Sequence, residues 1–112
     1  MWYVYTAWFL AGVFLVNAIP HFVSGVQGRP FPSPFSSPPG RGESTSTSNV
    51  MWGAVNAAIG YLLLFRVGSF DLHRLREVAI VGAGGFLIAL LLARNFGGVY
   101  GGNQSRPQRP SM

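Results

Sequence analysis

The chain has 112 residues, of which 49% are hydrophobic and only 10% charged, against roughly 25% charged in soluble domains. A soluble domain of this size could not cover that much apolar surface, which argues against a water-soluble enzyme or nucleic-acid-binding module. The net charge of +5 comes from eight basic residues, all Arg, that flank the apolar runs; lipid phosphate headgroups, not nucleic acid, are the expected partner. Using Arg alone reads as the mark of a GC-rich genome, and with no Cys there is no disulfide, thiolate metal site or redox thiol.

Three apolar runs predict an all-α integral membrane protein: three transmembrane helices, with a long Pro/Ser-rich loop between helices 1 and 2. The whole chain reads as a single membrane domain, multi-pass in a cell membrane, with a bacterial inner membrane as the expected location.

The first run, Trp2 to Phe22, carries no group ionised at neutral pH and, at about 1.5 Å per residue, is long enough to cross the roughly 30 Å hydrocarbon core. A cleaved signal peptide fits less well, because no basic n-region precedes the run and no small-x-small cleavage site follows it. Trp2, Tyr3, Tyr5 and Trp8 are expected to anchor one end at the headgroup level. Pro20 lacks an amide hydrogen and is expected to kink or end the helix. Asn17 and His21, four residues apart, share a face if the helix persists. One reading makes His21 a ligand to a haem iron or chlorophyll magnesium, or a hydrogen-bond partner for a quinone. The plainer reading has Asn17 satisfying backbone groups freed by Pro20 while His21 sits at the wet interface; on it no cofactor is expected.

Residues 23–49 form the expected loop. Alternate prolines in Arg29-Pro-Phe-Pro-Ser-Pro-Phe35 enforce extended, polyproline-like backbone, and the Ser/Thr run 44–48 reads as slack linker. Loops beyond about 15 residues without structure are functional or disordered. Arg29, Phe31 and Phe35 are therefore candidates for docking a partner, against the alternative of a solvated linker whose phenylalanines dip into headgroups.

The second helix is expected over about 50–66, with Asn49 as its N-cap. Gly53 and Ala57 place small residues four apart, a spacing that lets helices approach closely, and Asn56 suits an interhelical hydrogen bond. The third helix is expected over about 72–95, capped by Asp71, with His73, Arg74, Arg76 and Glu77 facing water or headgroups. Gly85, Ala89 and Ala93 form a second small-residue flank. The Gly-rich run 82–85 is not a nucleotide loop, which needs a preceding strand and a helix N-terminus. Arg66, Arg74, Arg76 and Arg94 are expected at lipid headgroups, and residues 97–112, with Arg106 and Arg109, are expected to be a disordered cationic tail.

Three spans put the N-terminus with the second loop on one side and the long loop with the tail on the other. Counting Arg places the latter in the cytoplasm and the N-terminus outside; labelling Ser36→Cys but not Ser69→Cys from outside intact cells would reverse that.

Transporters coupled to ions bury a charge in a span, whereas Glu43, Asp71 and Glu77 all fall in loops or at an interface. No nucleophile, carboxylate pair or metal spacing is present, so the chain is not expected to be an enzyme. The expected function is that of a non-catalytic accessory or assembly subunit of a larger membrane complex, with other membrane subunits or further copies of itself as partners. Two alternatives stand beside it: a homo-oligomeric pore for a small solute lined by Asn17 and Asn56, and a cofactor-holding subunit of an electron-transfer or light-harvesting complex using His21.

Overall fold

The computed structural model describes residues 1–105. It contains three helices, α1 (Trp2–Val26), α2 (Ser46–Phe65) and α3 (Leu75–Tyr100), each long and apolar enough to cross a membrane. There is no strand among the described residues, only an isolated bridge between Phe31 and Ser44. α1 is the middle helix: it packs along both α2 and α3, while those two make no close approach to each other. The core lies toward the start of α1, where Val4, Trp8 and Ala11 meet Leu64 of α2, with Ile80 and Val81 of α3 packed against them.

Glycines set the crossings. A Cβ on Gly12 would overlap the Val81 carbonyl, and one on Gly84 would overlap the Phe9 carbonyl, so α1 and α3 touch backbone to backbone. On α2 the buried residues Asn49, Gly53, Asn56, Gly60 and Leu64 recur at spacings of three and four, which places them on one stripe. Gly53 fits against the Phe22 backbone and Gly60 against Leu15. Of the expected packing residues, Gly53, Asn56 and Gly85 are buried, Asn17 and Ala89 half-buried, and Ala57 and Ala93 exposed. Gly12, Gly60 and Gly84 are the close-approach positions that spacing alone did not single out.

Several boundaries differ from expectation. Pro20 does not end α1, which continues to Val26. A mid-helix proline costs about 3 kcal/mol; the turns beyond it are held by burial of His21 and by Gly25, which meets Val50 and the Ser46 carbonyl. α2 starts at Ser46 and its N-cap is Thr45, whose hydroxyl accepts from the Ser48 amide at 3.2 Å. The Ser/Thr run is thus a cap and first turn in place of a slack linker, and Asn49 lies inside the helix. α3 begins at Leu75, later than expected, and runs past Asn95 to a left-handed cap at Gly101. Its last turns are held by the rings of Phe96 and Tyr100 against Phe31. Residues 97–100 of the expected disordered tail are therefore helical, and Asn103 folds back to donate to the Ala93 carbonyl at 3.1 Å. Arg106 and Arg109 lie outside the described residues.

The short connection between α2 and α3 is also built. Trp8 is not an interfacial anchor like the exposed Trp2, Tyr3 and Tyr5: it is buried, donates from Nε1 to the Val67 carbonyl at 2.9 Å and meets Phe70 edge-on. Glu77, expected to face water, is buried. It accepts from the Asp71 amide at 2.8 Å and from Arg74 at 3.0 Å, so the carboxylate ties the turn to the helix it precedes. Arg74 pairs with Glu77 while remaining exposed, as Arg66, Arg76 and Arg94 are.

Candidate functional site

The polar residues of the helices gather at the end of the molecule where residues 27–45 fold over them. Asn17 donates from Nδ2 to Asn56 Oδ1 at 2.9 Å, and Asn56 in turn donates to the Trp52 carbonyl at 2.8 Å. One turn further along α1, His21 Nδ1 meets Asn49 Oδ1 at 2.8 Å. Asn49 is fully buried, and its amide nitrogen reaches three carbonyls: Phe31 at 2.9 Å, Thr45 at 3.0 Å and Ser44 at 3.3 Å. Carbonyls only accept, so the amide must face them and the Asn49 oxygen must face His21. His21 therefore carries its proton on Nδ1 and donates it. The remaining nitrogen, Nε2, is left with a lone pair.

The connection between α1 and α2 is a packed cap. Pro32 and Ser33 are buried, the Ser33 carbonyl accepts from the amides of Ser36 and Gly40, and Ser33 and Ser44 bond through their hydroxyls. On α3, Asn95 donates to the Gly40 carbonyl at 3.0 Å and Tyr100 donates to Glu43 at 2.7 Å. Because α2 and α3 make no close approach, these contacts close that end of the bundle. Phe31, expected to be free for docking, is instead taken up by the cap: its ring centroid is 4.5 Å from Phe96 and 5.6 Å from His21. Burying the ring removes apolar area from water, which exposure on a rigid loop would leave wet. Phe35 stays 68% exposed although its ring meets Trp52 edge-on, and Arg29 is exposed.

Beneath the cap lies a recess of about 320 Å³. Asn17 and His21 of α1, Trp52 of α2, and Leu92, Asn95 and Phe96 of α3 line it, with Pro32, Pro34 and Pro39 from the cap. No lining residue among the described residues is charged. Among the described residues, the one buried side-chain polar atom without a partner is Trp52 Nε1. Among the described residues His21 Nε2 has no partner, and it is not fully sealed from a water-sized molecule. The sequence brought Asn17 and His21 forward; Trp52 and Asn95 gave no signal there, because neither repeats at a spacing that couples it to the others. No group of three or more His, Cys, Asp or Glu is positioned to hold a metal among the described residues. In the recess, His21 Nε2 is the single imidazole nitrogen that could ligate a cofactor.

Comparison with family models, with curated proteins and with solved structures finds no match for the chain.

Proposed function

We propose that the protein is a small multi-pass membrane protein of a bacterial inner membrane, acting as a non-catalytic accessory or assembly subunit of a larger membrane complex. The observation that carries this reading is that α2 and α3 each pack along α1 and make no close approach to each other. That arrangement leaves two apolar grooves floored by small residues. One, of about 480 Å³, runs between α1 and α2 along Ala18, Ile19, Gly53, Ala54 and Ala57. The other, of about 490 Å³, runs between α1 and α3 along Val16, Pro20, Ala89 and Ala93. Small residues let a neighbouring helix backbone approach where lipid removes the ordinary hydrophobic drive. Ala57 and Ala93, unused inside the chain, have their place on such an interface.

The geometry favours this over a pore, because Asn17 donates to Asn56 and Asn56 donates in turn to the Trp52 carbonyl, which ties the pair into the helix crossing. Purification in mild detergent followed by native mass spectrometry tests it: unrelated stoichiometric subunits are expected, and a monomer without a partner, or self-association alone, overturns it. Membrane insertion has its own test. Ser36 is buried, so Ser37→Cys replaces it as the reporter of the cap; Ser37→Cys and Ser69→Cys should be labelled by an impermeant maleimide from opposite sides of the membrane.

A further inference from the structure

His21 Nε2 is a hydrogen-bond acceptor held in place by a buried amide, the same outer-shell device that orients a ligand-binding imidazole elsewhere. Its surroundings repeat that polarity. Asn17 and Asn95 spend an amide hydrogen on Asn56 and Gly40, and their side-chain oxygens have no partner in the chain among the described residues. Neither oxygen is sealed from a water-sized molecule. The recess thus presents three acceptors, beside the second amide hydrogens of Asn17 and Asn95, between the apolar faces of Trp52, Leu92 and Phe96. Among the described residues no cationic side chain lines the recess to hold an anion, and no carboxylate lines it to hold a cation. A metal ion would find one imidazole where structural and catalytic sites supply three or four protein ligands. The volume is near the lower bound of organic-ligand pockets, roughly 300 Å³, which suits one substituted ring and not a macrocycle.

We propose that this recess binds a small neutral molecule carrying hydroxyl donors on an apolar ring, of the phenol or hydroquinone class, with His21 Nε2 accepting a hydroxyl hydrogen. Asn17 and Asn95 offer acceptors to a second hydroxyl, and the ring lies among Trp52, Leu92 and Phe96. The oxidised quinone, which only accepts, is excluded from the same position, because Nε2 has no proton to give and its lone pair would face a carbonyl oxygen. At His21 the two redox forms of one ring are therefore distinguished by the tautomer that Asn49 imposes.

The test uses the full chain in detergent micelles with ¹⁵N-labelled histidine, titrated anaerobically with trimethylhydroquinone, its dimethyl ether and the oxidised quinone. In the free protein the His21 spectrum should show a protonated Nδ1 and an unprotonated Nε2. Trimethylhydroquinone should shift the Nε2 signal saturably, with the ether and the quinone at least tenfold weaker. His21→Phe should abolish binding. Leu92→Trp, which fills the recess from α3 and leaves the His21–Asn49 bond alone, should abolish binding with the Nδ1 proton still in place. A proton on Nε2, equal binding of the ether or the quinone, or unchanged binding by Leu92→Trp would each overturn the proposal.

Discussion

Asn49 turns its side-chain oxygen to His21 at 2.8 Å and its amide nitrogen to the carbonyls of Phe31, Ser44 and Thr45. One side chain in the first turns of α2 thereby joins α1, α2 and the cap. Removing it strands a ring nitrogen and several carbonyls, and a buried polar group left unpaired costs about 1–3 kcal/mol. Asn49→Ala should therefore destabilise the protein by about 3 kcal/mol and loosen the cap. Unfolding in micelles measures the first effect, and trypsin cleavage after Arg41 the second. Unchanged stability together with an unchanged digest would show that the network is not what holds the cap.

The Asn17–Asn56 pair lies one turn deeper along α1 than His21. An interhelical hydrogen bond in this setting contributes about 0.6–1.7 kcal/mol, so Asn17→Leu, Asn56→Leu and the double variant should show a coupling of that size. Additive single effects would mean the pair contributes no mutual energy. Because Asn56 also donates to the Trp52 carbonyl, the cost of Asn56→Leu should exceed that of Asn17→Leu.

Apolar run length was enough to locate the three helices, since a stretch free of charge over about 20 residues has few other solutions. The ends were not legible, because tertiary contacts decide them. Pro20 marks a break by local rules, yet His21 and Gly25 pack beyond it. Thr45 and Asn49 are equally good caps by residue type, and only the burial of Asn49 selects Thr45. The polar cluster was half visible: Asn17 and His21 stood out as polar residues in an apolar run. Asn56 was already marked for an interhelical hydrogen bond, but its pairing with Asn17, and that of Asn49 with His21, became identifiable only through the crossing of α1 with α2. Phe31 misled because an aromatic residue between prolines looks the same whether its ring faces a partner or its own helices.

At the opposite end of the molecule, Asp71 should make acid stability depend on pH. Its carboxylate accepts hydrogen bonds from the His73 amide at 2.9 Å and the His73 ring at 3.0 Å. These bonds, the backbone one foremost, with a smaller contribution from the Arg74 charge, hold its carboxyl below the ordinary 3.8. A carboxyl depressed in the folded state adds stability that is present above its unfolded pKa and lost as pH falls through the folded value. Stability should thus decline below about pH 3.8, and Asp71→Asn should remove that part of the slope. A ¹³C carboxylate titration of Asp71 with a midpoint at or above the ordinary value would contradict this.

Gly84 and Gly82 sit two residues apart on α3 and should respond oppositely to the same change. A Cβ at Gly84 would overlap the Phe9 carbonyl, which is backbone and cannot swing aside, whereas a Cβ at Gly82 meets nothing within 4 Å. Gly84→Ala must then push α3 away from α1, with an overpacking cost of about 1–3 kcal/mol. Gly82→Ala gains helix propensity with no contact to relieve, worth up to about 1 kcal/mol in favour of the folded state. Comparing the two in micelles cancels what the alanine methyl does to the unfolded chain, so the difference between them measures the α1–α3 crossing itself. Equal effects would mean that α3 does not lie on α1 at Phe9. The recess, which needs Leu92, Asn95 and Phe96 of α3 opposite His21, would then lose one of its walls. Gly84→Ala should accordingly weaken hydroquinone binding as well as stability, and Gly82→Ala should leave binding as it was.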